Sequence, residues 1–203
     1  MTKPSLTERG LFIAFEGGEA SGKSTQAKRL ADRIGAVLTR EPGGTALGEQ
    51  IRALLLDPAG VVDARTEALL MAAARAQHVH EVIEPALAAG RHVVTDRFTA
   101  SSLAYQGFGR GLPIAEVRAL SAFATAGLEP DLYVLLDLPP DVAAARRSRS
   151  HDRMEAAGAD FHQRVRAGFL SLVDRTWVVV DGALPPDEVE AIVSSRLAGI
   201  LGS

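Results

Sequence analysis

Leu11–Thr25 reads LFIAFEGGEASGKST. A short apolar run of strand length meets a glycine-rich turn, which opens into a polar segment with helical character. Gly17-x-x-x-x-Gly22-Lys23-Ser24 carries the complete P-loop spacing, directly after a strand and ahead of a helix. Glycines let backbone N–H groups turn inward around phosphate oxygens, and the helix N-terminus adds its partial positive charge. Gly17, Gly18, Glu19, Ala20, Ser21, Gly22, Lys23, Ser24 and Thr25 are therefore expected to cradle the phosphates of a nucleoside triphosphate. Lys23 should reach the β- and γ-phosphates, and the Ser24 hydroxyl should ligate Mg²⁺. Two features of the loop need a further reason: an acid at Glu19, and a single cation.

Working outward, short apolar runs alternate with longer helical patterns, the signature of βαβ units. Strands are expected near 11–16, 36–39, 92–96, 132–137 and 177–181. Helices are expected near 22–34, 46–56, 66–89, 98–105, 113–126, 140–149, 158–174 and 186–201. Pro85 should kink or end the third helix, and glycines 35, 90 and 127 stand where helices should stop. The fold class is α/β, with a five-stranded parallel sheet flanked by helices on both faces. Without repeats or linkers, residues 1–203 read as one domain.

The 203 residues carry a net charge of -3, with 47% hydrophobic and 23% charged residues, as in an ordinary soluble globular protein. That balance gives no general attraction to nucleic acid. No apolar run approaches the ~20 residues that span a bilayer, and the N-terminal MTKPSLTERG does not resemble a secretory signal. The expected location is cytoplasmic. Cysteine is absent, so disulfides and thiolate metal sites are excluded. Lysine occurs only at positions 3, 23 and 28; codon bias explains the arginine excess, so an arginine cluster needs positional support to carry meaning.

Ligands of open parallel sheets bind beyond the carboxyl ends of the strands. There the third strand ends in Asp96, in the place of a second Mg²⁺-organising acid, followed at once by Arg97. A cation beside the phosphates favours transfer to a bound acceptor over simple hydrolysis. Guanine-specific switches usually read their base through Asn-Lys-x-Asp, and this chain has no asparagine. Three further segments complete the pattern: TREPGG at 39–44, TEALLMAAARAQH at 66–78 and DRFTASSLAYQGFGRG at 96–111. Residues 71, 75 and 78 share a helix face.

With FEGGEASGKST and DRME, in this order and spacing, these segments make the chain resemble the bacterial thymidylate kinases from about residue 11 to the last helix. The resemblance implies a P-loop nucleoside monophosphate kinase-like fold and transfer of the γ-phosphoryl of ATP to dTMP, in dTTP biosynthesis. It also implies Mg²⁺ and a homodimer. By the same resemblance, Arg97, Arg40 and Arg52 would grip the dTMP phosphate. Arg75 would bond the thymine O4, with Ser102 and Gln106 completing the base-edge contacts. Tyr105 would pack under the deoxyribose, and Glu19 would accept from the 3′-hydroxyl. Ser24 and Asp96 would serve the metal, and Glu41 would brace its turn. One position departs from the family: Met71 stands where a phenylalanine usually stacks on thymine. It motivates an alternative, a nucleoside monophosphate kinase with relaxed base choice; a P-loop regulatory protein is the alternative from another class.

The missing cation is sought further along. Some thymidylate kinases carry a catalytic arginine inside the loop, just after the acid, where this chain has Ala20. The other type brings arginines on a mobile lid, matched here by RRSRSHDRME at 146–155. Arg146, Arg149 and Arg153 fall at i, i+3 and i+7, expected on one helical face. Close-set arginines repel one another unless an anion joins them, so the segment is expected to be a lid that closes on the phosphates.

Overall fold

The computed structural model describes residues 9–146, 153–154 and 157–201. Its sheet has five strands: β1 (Phe12–Glu16), β2 (Val37–Arg40), β3 (Val93–Asp96), β4 (Leu132–Asp137) and β5 (Trp177–Asp181). They lie in the order β2-β3-β1-β4-β5, and every neighbouring pair is parallel. The strand that feeds the phosphate loop is therefore central, flanked by β3 and β4.

Alternation along β1 explains the two layers. Phe12 and Ala14 point into one core with Phe98, Tyr105 and Phe169, while Ile13 and Phe15 point into another with Leu30, Val189 and Val193. All of β1 is buried, and each large apolar side chain fully withdrawn from water stabilises the fold by ~1.5–3 kcal/mol. Helices α1 (Lys23–Ile34) and α9 (Pro186–Leu201) cover the second face. On the first lie α4 (Glu84–Ala88), α5 (Thr99–Ser102) and α8 (Ala159–Leu172). The described helices are completed by α2 (Ala46–Leu56), α3 (Ala64–His78), α6 (Ile114–Thr125) and α7 (Pro140–Arg146).

Two expectations change. Pro85 does not end the third helical pattern: the chain widens into a π-helical turn at Val79–Ile83 and resumes as α4, with Pro85 in its first turn. Because α4 follows without a break, the bond that Pro85 cannot make and the room its ring needs fall next to this widened turn. A second π-helical stretch, Leu103–Gly109, continues α5 and carries Tyr105 and Gln106. The helix expected over 98–105 is thus longer and wider than its sequence pattern shows.

Candidate active site

Loop geometry at the end of β1 follows from its glycines. Gly17 sits at φ 140°, where a Cβ would meet the Leu136 carbonyl oxygen at 2.5 Å, and Gly22 opens α1 at φ 91°. Only glycine fits the first position. Ala20 also takes a positive φ, 55°. Lys23 is buried, its ammonium donating to the Gly18 carbonyl at 2.6 Å and to the Ser21 hydroxyl at 3.3 Å. Burial, then the nearby Arg97, lowers its pKa. The Ser24 hydroxyl donates to Asp96 Oδ2 at 2.5 Å, while the buried Asp96 Oδ1 has no partner. Among the described residues no cluster of three or more His, Cys, Asp or Glu could hold an ion alone. The donor set is thus one hydroxyl and one carboxylate, which suits a Mg²⁺ that keeps waters and phosphate oxygens as its other ligands.

Two cavities meet here. The first is lined by Glu19 through Thr25 with Arg40, Asp96 and Arg146; the second by Leu56, Met71, Arg75, Ser101, Ser102, Tyr105, Gln106 and Met154. Glu19, Glu41, Arg52 and Arg97 line both. Arg97 forms the junction. It donates to Glu19 at 2.6 Å, to the Gly17 carbonyl at 3.0 Å, to the Ser101 hydroxyl at 3.2 Å and to the Tyr105 hydroxyl at 3.1 Å. Tyr105 itself donates to Glu19 at 2.7 Å.

Two neighbouring acids end up with opposite properties. Burial would raise the Glu19 pKa, but Arg97, Lys23 and the Tyr105 hydrogen bond outweigh it and bring it to about 2. Glu16 forms no ion pair among the described residues. Burial dominates and lifts its carboxyl to about 7, against the Ser101 and Phe98 hydrogen bonds and the attraction of Arg97. Its oxygens accept from Phe98 N–H at 2.9 Å and from the Ser101 hydroxyl at 2.5 Å. The loop acid stays charged; the strand-end acid ties the loop strand to the segment after β3.

Arg75 on α3 is 2% exposed. Its Nε donates to Glu41 at 2.7 Å and one terminal nitrogen to the Phe98 carbonyl at 3.1 Å, yet the other, Nη1, is buried and has no partner among the described residues. Glu41 does more than brace its turn. It also takes His78 Nδ1 at 3.0 Å, while His78 Nε2 meets the Thr39 hydroxyl at 2.6 Å. A chain Thr39–His78–Glu41 thereby holds Arg75 in place. Phe98 backs it, with the guanidinium 5.5 Å from the ring centroid. Met71 and Ser102 line the second cavity, and Ser102 makes no capping bond to its helix.

The arginines expected around the phosphates separate into groups. Arg40 faces the loop cavity, but its Nη2 donates to both carboxylate oxygens of Glu49, at 2.9 and 3.0 Å. Arg52 donates to the Pro42 carbonyl at 2.9 Å. Arg146, the last residue of α7, lines the loop cavity and donates to the Gly182 carbonyl at 2.8 Å. Arg149 lies outside the described residues. Arg153 departs from the expected shared face: it sits in a turn, donating to the Leu55 carbonyl at 3.0 Å and pairing with Glu67 at 2.8 Å, on the side of the second cavity. A turn breaks the helical spacing that would have aligned it with Arg146, and a buried carboxylate claims its charge. Glu67 and Met154 were not singled out from the sequence. Glu67 alone had a signal, four residues before Met71 on the face shared with Arg75.

Comparison with known proteins follows the same lines. A family model described as "Thymidylate kinase" matches residues 15–193. A protein named thymidylate kinase from Carboxydothermus hydrogenoformans is 48% identical over 202 residues, covering 96% of this chain and 100% of its own. One of the same name from Chromobacterium violaceum is 53% identical over 173 residues, 82% of each chain. Another, from Deinococcus radiodurans, is 48% identical over 193 residues, 90% of this chain and 94% of its own.

Proposed function

The chain belongs to the thymidylate kinase family, and from that premise we propose that its two joined cavities hold the two nucleotides of the reaction dTMP + ATP → dTDP + ADP. It is an ATP-dependent nucleoside monophosphate kinase of nucleotide biosynthesis. ATP lies over the loop at 17–25 and dTMP in the second cavity, with Arg97, Arg52 and Glu19 at their junction. The observation that carries the reading is the buried Nη1 of Arg75, a donor without a partner among the described residues, on a side chain that lines the cavity adjoining the phosphate loop. A donor so buried calls for an acceptor, and the thymine O4 supplies one.

In-line transfer needs charge and alignment more than covalent chemistry. Lys23 approaches the transferred phosphoryl, and the Arg97 fork suits the acceptor phosphate. Glu19, held ionised, accepts from the sugar 3′-hydroxyl while neutralising Arg97. Tyr105 packs under the deoxyribose, and Gln106 and Ser102 meet the base edge. Ser24 and Asp96 would hold Mg²⁺, which when bound neutralises the donor phosphates; the unpartnered Asp96 Oδ1 supports that fit. Arg146 and Arg149 would come over the phosphates as the lid-arginine type requires, Ala20 supplying no charge from the loop. We assign Arg153 to the acceptor wall and Arg40 to the loop-side phosphates. Residues 1–203 form one kinase domain in this reading, with the lid at about 146–155.

A homodimer is part of the proposal. The groove between α3 and α6, lined by Ala68, Leu69, Leu112, Val117 and Leu120, offers an apolar face for a second copy. Among the described residues no helix is long and apolar enough to cross a membrane, and we propose a cytoplasmic enzyme. An ADP-coupled assay across dTMP, dUMP, dCMP, dGMP and dAMP tests the assignment. dTMP should give the highest kcat/KM; equal or better turnover of another monophosphate overturns it. Met71 in the cavity wall is the observation that would favour relaxed base choice in that event.

A further inference from the structure

Glu67 is fully buried on α3, away from the phosphate loop, and no step above uses it. Four hydrogen bonds or ion pairs converge on its carboxylate. Gln106 Nε2 donates to Oε1 at 2.8 Å and Arg110 Nε to the same oxygen at 3.3 Å; Oε2 receives Arg110 Nη2 at 3.1 Å and Arg153 Nη1 at 2.8 Å. Both guanidiniums are themselves held, Arg153 by the Leu55 carbonyl and Arg110 over the Phe161 ring at 4.7 Å from its centroid. The carboxylate is therefore fixed in place and orientation.

That has a directional consequence for Gln106. Its amide has a donating end and an accepting end of nearly equal size, and a buried carboxylate flanked by two arginines can only accept. The NH₂ end must face Glu67, because the reverse places two oxygens against each other. Gln106 is 1% exposed and lines the acceptor cavity. Its carbonyl oxygen takes no hydrogen bond from the described residues, and it is the end turned away from Glu67.

We infer that Glu67 is a positioning residue that sets base selection: by holding the Gln106 amide in one orientation, it presents a fixed hydrogen-bond acceptor to the nucleobase edge. Thymine and uracil have one ring donor on that edge, N3–H, which satisfies such an acceptor. Cytosine has a lone pair at N3 and is opposed by it. This inference rests on the reading of the second cavity as the dTMP site. It adds to Arg75, which reads the neighbouring exocyclic oxygen.

The test compares kcat/KM for dTMP, dUMP and 5-methyl-dCMP, the last retaining the methyl group so that only the edge differs. In Glu67→Gln the carboxylate no longer forces the Gln106 amide one way. The preference for dTMP over 5-methyl-dCMP should fall by about tenfold or more, the scale set by losing or mispairing one buried hydrogen bond. The dTMP:dUMP ratio should not move, since both bases carry N3–H. The exchange Glu67→Gln with Gln106→Glu should restore the lost preference, because the amide introduced at 67 donates to a carboxylate that offers the base only acceptors. If Glu67→Gln fails to fold, Gln106→Met leaves Glu67 with both arginines and must lower the same preference. Equal losses for all three substrates, with both ratios unchanged, mean that Glu67 is only structural and overturn the inference. A wild-type enzyme indifferent to the base overturns the reading of the cavity as well, and shows itself before any variant is made.

Discussion

The phosphate loop is nine consecutive residues whose anion-binding capacity rests on backbone N–H groups, glycines 17 and 22 at positive φ, and one ammonium. In the acceptor cavity, side chains arrive from the loop itself, the segments after β2 and β3, α2, α3, α5, the π-helical stretch after it and the turn at 153–154. In or beside it, three arginines each rest on a buried or half-buried carboxylate: Arg97 on Glu19, Arg75 on Glu41, Arg153 on Glu67. The difference reflects what each must recognise. A triphosphate is bound by charge and by a ring of donors, and a contiguous turn provides both. In the proposed reading, one pyrimidine among several is chosen by the direction of individual donors and acceptors, so these three guanidiniums are clamped and part of their charge is given up to orientation.

The largest test of that contrast is Lys23→Ala. If the loop acts by charge alone, kcat should fall by about 10³-fold, as for a transition-state donor, while KM for dTMP stays within about twofold. The fold should survive, since burial already disfavours this ammonium. A rise in KM for dTMP matching the loss of kcat would dissolve the distinction between the two regions. Steady-state kinetics with each substrate varied decides it.

Glu16→Gln probes the seam. The folded-state pKa of Glu16, about 7, lies above its unfolded value of 4.5, so the folded protein holds the extra proton between those values. Stability from this group is complete below about pH 4.5 and lost as pH rises toward 7, by roughly 3 kcal/mol at most. Glu19, lowered to about 2, has the opposite sign: its contribution is full above about pH 4.5 and lost only in stronger acid. Denaturant unfolding at pH 5 and pH 7.5 should show the loss in the wild type and a flatter profile in the variant; parallel profiles would remove the assignment.

The smallest effect belongs to Met71→Phe. A ring on the cavity wall should lower KM for dTMP about threefold, the scale of one aromatic contact, and leave KM for ATP unchanged. A shift in the ATP parameter instead would mean that the two cavities do not act separately.

How much of this was legible in the sequence follows the same division. The loop, the strand ends and most helix bounds emerge from local periodicity, and glycines 35, 90 and 127 mark helix ends at φ 65°, 72° and 78°. The π-helical stretches at 79–83 and 103–109 do not, because one extra residue in a single turn is too short a departure to alter a periodic pattern. Arg153 was misaligned for a related reason: spacing along a helix is informative only while the helix continues, and this residue is in a turn. Glu41 read only as a brace for its turn, and Glu67 was not singled out. Their roles depend on Arg75, Arg110 and Arg153 arriving from other segments, a coincidence in space that linear spacing cannot display.

Asp96 and Arg97 are consecutive, and in a regular strand their side chains would leave by opposite faces. Arg97 instead adopts φ 76°, and both residues line the loop cavity. One peptide unit, about 3.8 Å between α-carbons, thus joins the carboxylate of the donor side to the fork of the acceptor side. In the proposed reading, covalent geometry thus contributes to the offset between the two nucleotides. It would work as a ruler, and any single molecule made to span both cavities would have to match its length.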